Sequence, residues 1–111
     1  MAQLMLKENC SVTIAHSKTI DIKSECLRAD ILIAAAGVPA LVKEDWVKEK
    51  TIIIDVGINK VNGKIIGDVD FEKIKSKVRA ITPVPGGVGP MTIACLLDNT
   101  LKCFKRSNYK K

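Results

Sequence analysis

The sequence predicts an α/β protein: a doubly wound parallel sheet with helices on both faces, incomplete at its N-terminal end. Three observations carry this. Nearly continuous apolar runs at 30–36 (DILIAAA) and 51–56 (TIIIDV) each stop at a glycine, as strands of a buried parallel sheet do. Helix-period patterns lie between and after them, and strands alternating with helices give a parallel sheet. The composition, 47% hydrophobic with only 4% aromatic, fits a core of Ile, Val, Leu and Ala.

Taken in order, residues 1–8 predict the end of an amphipathic helix with Leu4, Met5 and Leu6 on its apolar side. No N-cap precedes them, so that helix is expected to begin outside the sequence. Residues 11–16 (SVTIAH) predict a short strand. Residues 21–29 predict a helix with Ile22, Cys26 and Leu27 on one face. The strand at 30–36 ends at Gly37-Val38-Pro39, and a short helix near 43–48 anchored by Trp46 and Val47 follows it. The strand at 51–56 ends in Gly57-Ile58-Asn59. Asn62-Gly63 between apolar flanks then predicts a β-hairpin, because both residues tolerate the positive φ a tight turn needs. Residues 70–77 predict a short helix with Asp70 as N-cap and Phe71 and Ile74 inward. A strand at 78–81 precedes a final helix at 90–106, whose stripe Ile93, Leu97, Leu101 and Phe104 reads as core. Residues 1–106 thus form one domain, and 107–111 a basic tail.

Charge and cysteines narrow the function. The net charge is +6, but five of the 18 basic residues lie in the last ten positions, leaving 13 against 12 acids elsewhere. A basic tail behind a helix is ordinarily solvated and suits the helix dipole, so nucleic acid is not the expected partner. No stretch reaches the roughly 18 apolar residues of a membrane span. The N-terminus lacks a basic region ahead of a long apolar one, as a signal peptide would have. Cys10, Cys26, Cys95 and Cys103 form no C-x-x-C pair, and His16 is the only histidine, so no metal is expected. Buried thiols at Cys26 and Cys95 fit a reducing compartment. The expectation is a soluble cytoplasmic protein, with an organelle as the eukaryotic alternative.

Ligands of open parallel sheets bind at the carboxyl ends of the strands. Here those ends carry His16-Ser17-Lys18, Gly37-Val38-Pro39, Gly57-Ile58-Asn59 and a proline-glycine loop. If 11–16 is the second strand of a dinucleotide fold, Ser17 and Lys18 stand where NAD-binding sheets place a carboxylate on the ribose 2′-hydroxyl. A hydroxyl and a cation suit the 2′-phosphate of NADP better than NAD. The other reading is that Ser17 caps a turn and Lys18 is solvated. His16, without a carboxylate neighbour in sequence, reads as a strand-end structural residue.

The most specific feature is Thr82-Pro83-Val84-Pro85-Gly86-Gly87-Val88-Gly89-Pro90-Met91-Thr92, with three prolines and three glycines in eleven residues. Prolines stiffen such a loop while glycines let another molecule approach its backbone, and Pro90 suits the first turn of a helix. This string resembles the C-terminal signature of the bifunctional methylenetetrahydrofolate dehydrogenase/methenyltetrahydrofolate cyclohydrolase family. So do Val12-Thr13-Ile14-Ala15-His16-Ser17-Lys18-Thr19, Ala29-Asp30-Ile31-Leu32-Ile33, Ile54-Asp55-Val56-Gly57-Ile58-Asn59 and Gly67-Asp68-Val69-Asp70-Phe71. The resemblance covers nearly the whole chain and implies the family's Rossmann-like NAD(P)-binding domain.

It further implies NADP as cofactor and a tetrahydrofolate derivative as substrate. The family oxidises 5,10-methylenetetrahydrofolate to the methenyl form and hydrolyses that to 10-formyltetrahydrofolate. Ser17 and Ile58 match cofactor-contacting positions, with Lys18 beside them. Pro85, Gly86, Gly87, Val88 and Gly89 match the loop that borders folate and cofactor. The family's Tyr-x-x-x-Lys catalytic motif and Gly-Arg-Ser phosphate loop have no counterpart here, since the one tyrosine is Tyr109. No catalytic residue is therefore assigned. The expectation is a C-terminal cofactor half, inactive alone, that works with a complementing N-terminal half or as a homodimer. A non-catalytic nucleotide-binding or interaction module and a decayed fragment are the alternatives.

Overall fold

Three short parallel strands form the centre of the molecule. The computed structural model describes residues 1–108. Strands β1 (Ile31–Ala34), β2 (Ile52–Asp55) and β5 (Ala80–Ile81) pair in the order β1-β2-β5. The register sets Leu32 beside Ile53, Ala34 beside Asp55, and Ile53 beside Ile81. A hairpin of β3 (Asn59–Val61) and β4 (Lys64–Ile66) leaves the sheet after β2. Asn62 at φ 49° and Gly63 at φ 79° make its turn, the double positive φ that Asn-Gly predicts.

Around the strands lie α1 (Ala2–Lys7), α2 (Ile22–Arg28), a 3-10 turn (Glu44–Trp46), α3 (Phe71–Ile74) and the long α4 (Val88–Asn108). Asp21 caps α2, its carboxylate accepting the Ser24 N–H at 3.0 Å. The expected helix near 43–48 is only this one turn; Val47 and Lys43 flank it in extended conformation. Asp70 stands at the N-cap of α3, but its carboxylate pairs with Lys73 at 3.4 Å instead of capping the backbone.

Side chains alternate across a strand, so the register defines two faces. Ala34 and Ile53 face a core completed by Val42, Val47, Val69 and Ile74, with Leu32, Trp46, Val78 and Ile81 at its margin. Burying each Val or Ile fully contributes about 1.5–3 kcal/mol. The opposite face is less covered: Ile33, Ile52 and Ile54 are half-buried and Ile31 is exposed. Strands with both faces buried, as their apolar runs predict, are therefore not what forms here.

Two further expectations are corrected. Residues 11–16 form no strand: no ladder partner meets them among the described residues, and Ile14 is 74% exposed. A β-rich run becomes a strand only when a neighbour takes its backbone groups. The α4 stripe is not core either, since Ile93, Leu97, Leu101 and Phe104 are all half or more exposed. The helix leaves the sheet and stretches the molecule to 57 × 38 × 28 Å, with a radius of gyration of 16.6 Å. A compact chain of this length has about 13 Å. Cys95, also on α4, is exposed and not a buried thiol. Residues 109–111 of the expected tail, Tyr109 among them, lie outside the described residues.

Candidate functional site

Parallel pairing brings the carboxyl ends of all three strands to one edge. The Val56 N–H donates to the Ala34 carbonyl at 2.8 Å, and the Thr82 N–H to the Ile53 carbonyl at 3.1 Å. The loops that begin at Ala35, Val56 and Thr82 therefore rise side by side.

Two carboxylates organise this edge from below. Asp55 is 2% exposed and Asp68 fully buried. The Asp55 Oδ1 accepts the Gly57 N–H at 3.0 Å and the Asp68 N–H at 2.9 Å, and its Oδ2 accepts the Val69 N–H at 3.1 Å. The Asp68 Oδ2 accepts the Ala36 and Gly37 N–H groups at 2.6 and 2.8 Å, while Oδ1 accepts the Asn59 Nδ2 at 2.8 Å. Buried charge is tolerated only with such partners. The backbone N–H of Asp55 donates to Thr82 Oγ1 at 2.8 Å, tying in the start of the proline-glycine loop. Gly57 and Gly67 leave room for the carboxylates: a Cβ on Gly57 would collide with Asp68, and one on Gly67 with Asp55.

Above these ties the loops present small or apolar groups outward. Val38 is 46% and Ile58 69% exposed. Pro85, Gly86 and Gly89 are exposed, Gly87 and Val88 half-buried, and Val88 opens α4. A cavity of about 350 Å³ lies beside Asp55, bounded among others by Gly67, Phe71, Pro83 and Val84. The structure thus joins Ile58 and the head of the 82–89 loop through Asp55.

Ser17 and Lys18 are placed otherwise. They lie exposed in a turn closed by the Thr19 N–H on the His16 carbonyl at 2.8 Å. The Lys18 N–H donates to His16 Nδ1 at 3.1 Å, so that ring nitrogen is a turn acceptor with no carboxylate beside it among the described residues. No hydrogen bond or ion pair links Ser17 or Lys18 to the strand-end loops among those residues. Asp55 and Asp68 escaped sequence reasoning, although an aspartate closing the apolar run TIIID was a usable signal. Carboxylates that serve backbone amides have no characteristic spacing.

The model of the tetrahydrofolate dehydrogenase/cyclohydrolase NAD(P)-binding domain matches residues 1–108. The chain belongs to this family. Among curated members of the tetrahydrofolate dehydrogenase/cyclohydrolase family, the Bifunctional protein FolD of Pelagibacter ubique is 69% identical over 107 residues, which are 96% of this chain and 38% of that protein. The Aquifex aeolicus FolD is 58% identical over 106 residues, 96% of this chain and 36% of its own length. Among solved members, the Campylobacter jejuni enzyme matches 96% of this chain and 38% of its own at TM-score 0.94 and 51% identity. The Trypanosoma brucei enzyme, solved with NADP cofactor and inhibitor, matches 96% and 39% at TM-score 0.88 and 44% identity. The chain spans about 38% of the length of the curated relatives it matches. Family membership fixes the fold as an NAD(P)-binding α/β domain, and the strand-end edge is where such domains bind.

Proposed function

We propose that this chain is the NADP-binding part of a bifunctional folate enzyme. The reaction is NADP-dependent oxidation of 5,10-methylenetetrahydrofolate to 5,10-methenyltetrahydrofolate, followed by hydrolysis to 10-formyltetrahydrofolate. The observation that carries the reading is the convergence of the 35–39, 56–59 and 82–89 loops on one sheet edge. The family match and the relatives' names supply the chemistry.

The residues present fit the cofactor. Ser17 offers a hydroxyl and Lys18 an exposed cation with no acid partner among the described residues, a donor set for a 2′-phosphate whose assignment rests on the family match, since 11–16 is not the strand expected to place it. Ile58 offers an apolar surface, and Pro85, Gly86, Gly87, Val88 and Gly89 offer a side-chain-poor border for folate. Bound NADP supplies the hydride acceptor; the chain's part is to position it. The acid–base groups come from a complementary portion, in the same or another polypeptide. The chain's 38% span supports a complementary N-terminal portion, and the uncovered apolar face of α4 leaves room for that portion or for a second copy of the chain. Cys10, Cys26, Cys95 and Cys103 are all unpaired, consistent with a cytoplasmic site of action. No helix among the described residues is long and apolar enough to cross a membrane.

Titrating NADP and NAD separately into the ¹⁵N-labelled chain tests the reading. It predicts amide shifts at 16–18, Gly37, Val38, 57–59 and 86–89, with NADP the tighter ligand. Shifts confined elsewhere, or none with either cofactor, would count against it.

A further inference from the structure

Ile58 is exposed, yet its backbone is held on both sides. Its predecessor Gly57 donates to Asp55, and the side chain of its successor Asn59 donates to Asp68. The same Asp68 carboxylate takes two consecutive amides of the 35–39 loop, Ala36 and Gly37, directly before the exposed Val38. One buried side chain therefore joins the two loops that carry the outward-facing Val38 and Ile58.

Asp68 is itself firmly mounted. Its carbonyl accepts the Val42 N–H at 3.0 Å, and the Gly67 carbonyl before it accepts the Ala40 N–H at 3.1 Å. Two residues on, the Asp70 N–H donates to the Val42 carbonyl at 3.0 Å. Its own N–H and that of Val69 are taken by Asp55, at the end of the central strand β2. The carboxylate is thus fixed to the sheet by short bonds, and the loops are fixed to the carboxylate.

We propose that Asp68 is a positioning residue for the cofactor crevice. It holds the loop after β1 and the loop after β2 at a set separation so that Val38 and Ile58 form two walls of one site. This rests on the NADP-binding reading above. An ionised carboxylate suits the task because both oxygens only accept, and it faces donors on both sides. An asparagine has a single acceptor oxygen: its NH₂ turned toward the 35–39 loop opposes both the Ala36 and Gly37 amides, and turned toward Asn59 it opposes that donor.

The test uses the full 111-residue chain, ¹⁵N-labelled, as Asp68→Asn, Asn59→Ala and Ile74→Val variants. Ile74 is a fully buried core residue outside the network, so Ile74→Val controls for lost stability. Asp68→Asn is expected to displace the Ala36 and Gly37 amide resonances and to weaken NADP about tenfold, the worth of one charge-assisted bond. Ile74→Val should leave both within about twofold of the parent. Should Asp68→Asn not fold, Asn59→Ala decides. Removing that donor should shift Ala36 and Gly37 on the far loop, which Asn59 reaches through Asp68.

Unmoved Ala36 and Gly37 signals in Asn59→Ala and in folded Asp68→Asn would overturn the proposal. So would equal loss of NADP in Asp68→Asn and Ile74→Val. A parent chain that binds no NADP overturns the cofactor reading instead. The cross-loop shifts then still decide whether Asp68 couples the two loops.

Discussion

The Asp55 carboxylate accepts the backbone N–H of Asp68 at 2.9 Å, so one buried acid holds the main chain that carries the other. Through this pair the end of β2 governs three loops: 35–39, 56–59 and the head of 82–89. The network sits where Gly67 and Gly57 have no side chain. Gly67→Ala should therefore destabilise the chain by about 1–3 kcal/mol, the usual cost of overpacking. Gly89→Ala, whose Cβ meets nothing within 4 Å, should leave stability within about 0.5 kcal/mol. Urea denaturation of the two variants makes the comparison.

Substituting the α4 stripe should cost little. Leu97→Ala and Leu101→Ala remove side chains that are 67% and 50% exposed, and should each change stability by less than about 0.5 kcal/mol. Ile53→Ala, at 0% exposure in the central strand, should cost about 2–5 kcal/mol. Equal losses in thermal melts would mean that α4 folds back on the sheet in solution.

That contrast shows what the sequence could convey. Local rules were legible: the Asn62-Gly63 turn, the Asp21 cap, and apolar runs for β1 and β2 all lie where the residues say. Pairing was not. SVTIAH has strand-forming residues, but a ladder depends on a neighbour no local pattern specifies. The α4 stripe likewise marks a face able to be buried without saying against what. At the strand-end edge, the Gly57-Ile58-Asn59 and proline-glycine loops were legible because backbone breaks mark strand ends, while a cofactor role for Ile58 came only from the family resemblance. Asp68 was not, because its partners Ala36, Gly37 and Asn59 are gathered only by the fold.

Cofactor choice should depend on the turn after residue 16. Replacing Ser17 with Ala and Lys18 with Asp should weaken NADP by about tenfold or more, the scale of a charged hydrogen bond, and NAD much less. Isothermal titration with both cofactors measures the ratio. Equal losses would remove the 2′-phosphate role from this pair.

Thiol reactivity should separate by burial. Desolvation pushes the Cys26 thiol above its usual pKa, and the neighbouring Glu25 charge adds to this. Less thiolate means slower alkylation. Cys95 and Cys103, both exposed, should be labelled by iodoacetamide before Cys26 in a mass-spectrometric time course.

Acid should remove two surface ion pairs. The Lys48 ammonium bonds Asp30 at 2.7 Å and holds its carboxyl below the ordinary value, and Lys23 does the same for Asp45. A carboxylate with a lowered folded pKa stabilises the fold above its unfolded pKa, near 4, and loses that contribution as pH falls through the folded value. The Lys23→Met, Lys48→Met double variant should therefore show a flatter loss of stability below about pH 4 than the parent. Both pairs are solvent-exposed, so the difference at neutral pH should be small. Denaturation midpoints across an acid series provide the check.

The most direct measurement joins this chain to the remaining, N-terminal part of the Pelagibacter ubique relative and follows NADP reduction with 5,10-methylenetetrahydrofolate. Turnover by the joined protein is expected, with preference for NADP over NAD, and none by the 111-residue chain alone. A folded joined protein without activity, or turnover by the chain by itself, would contradict the proposed function.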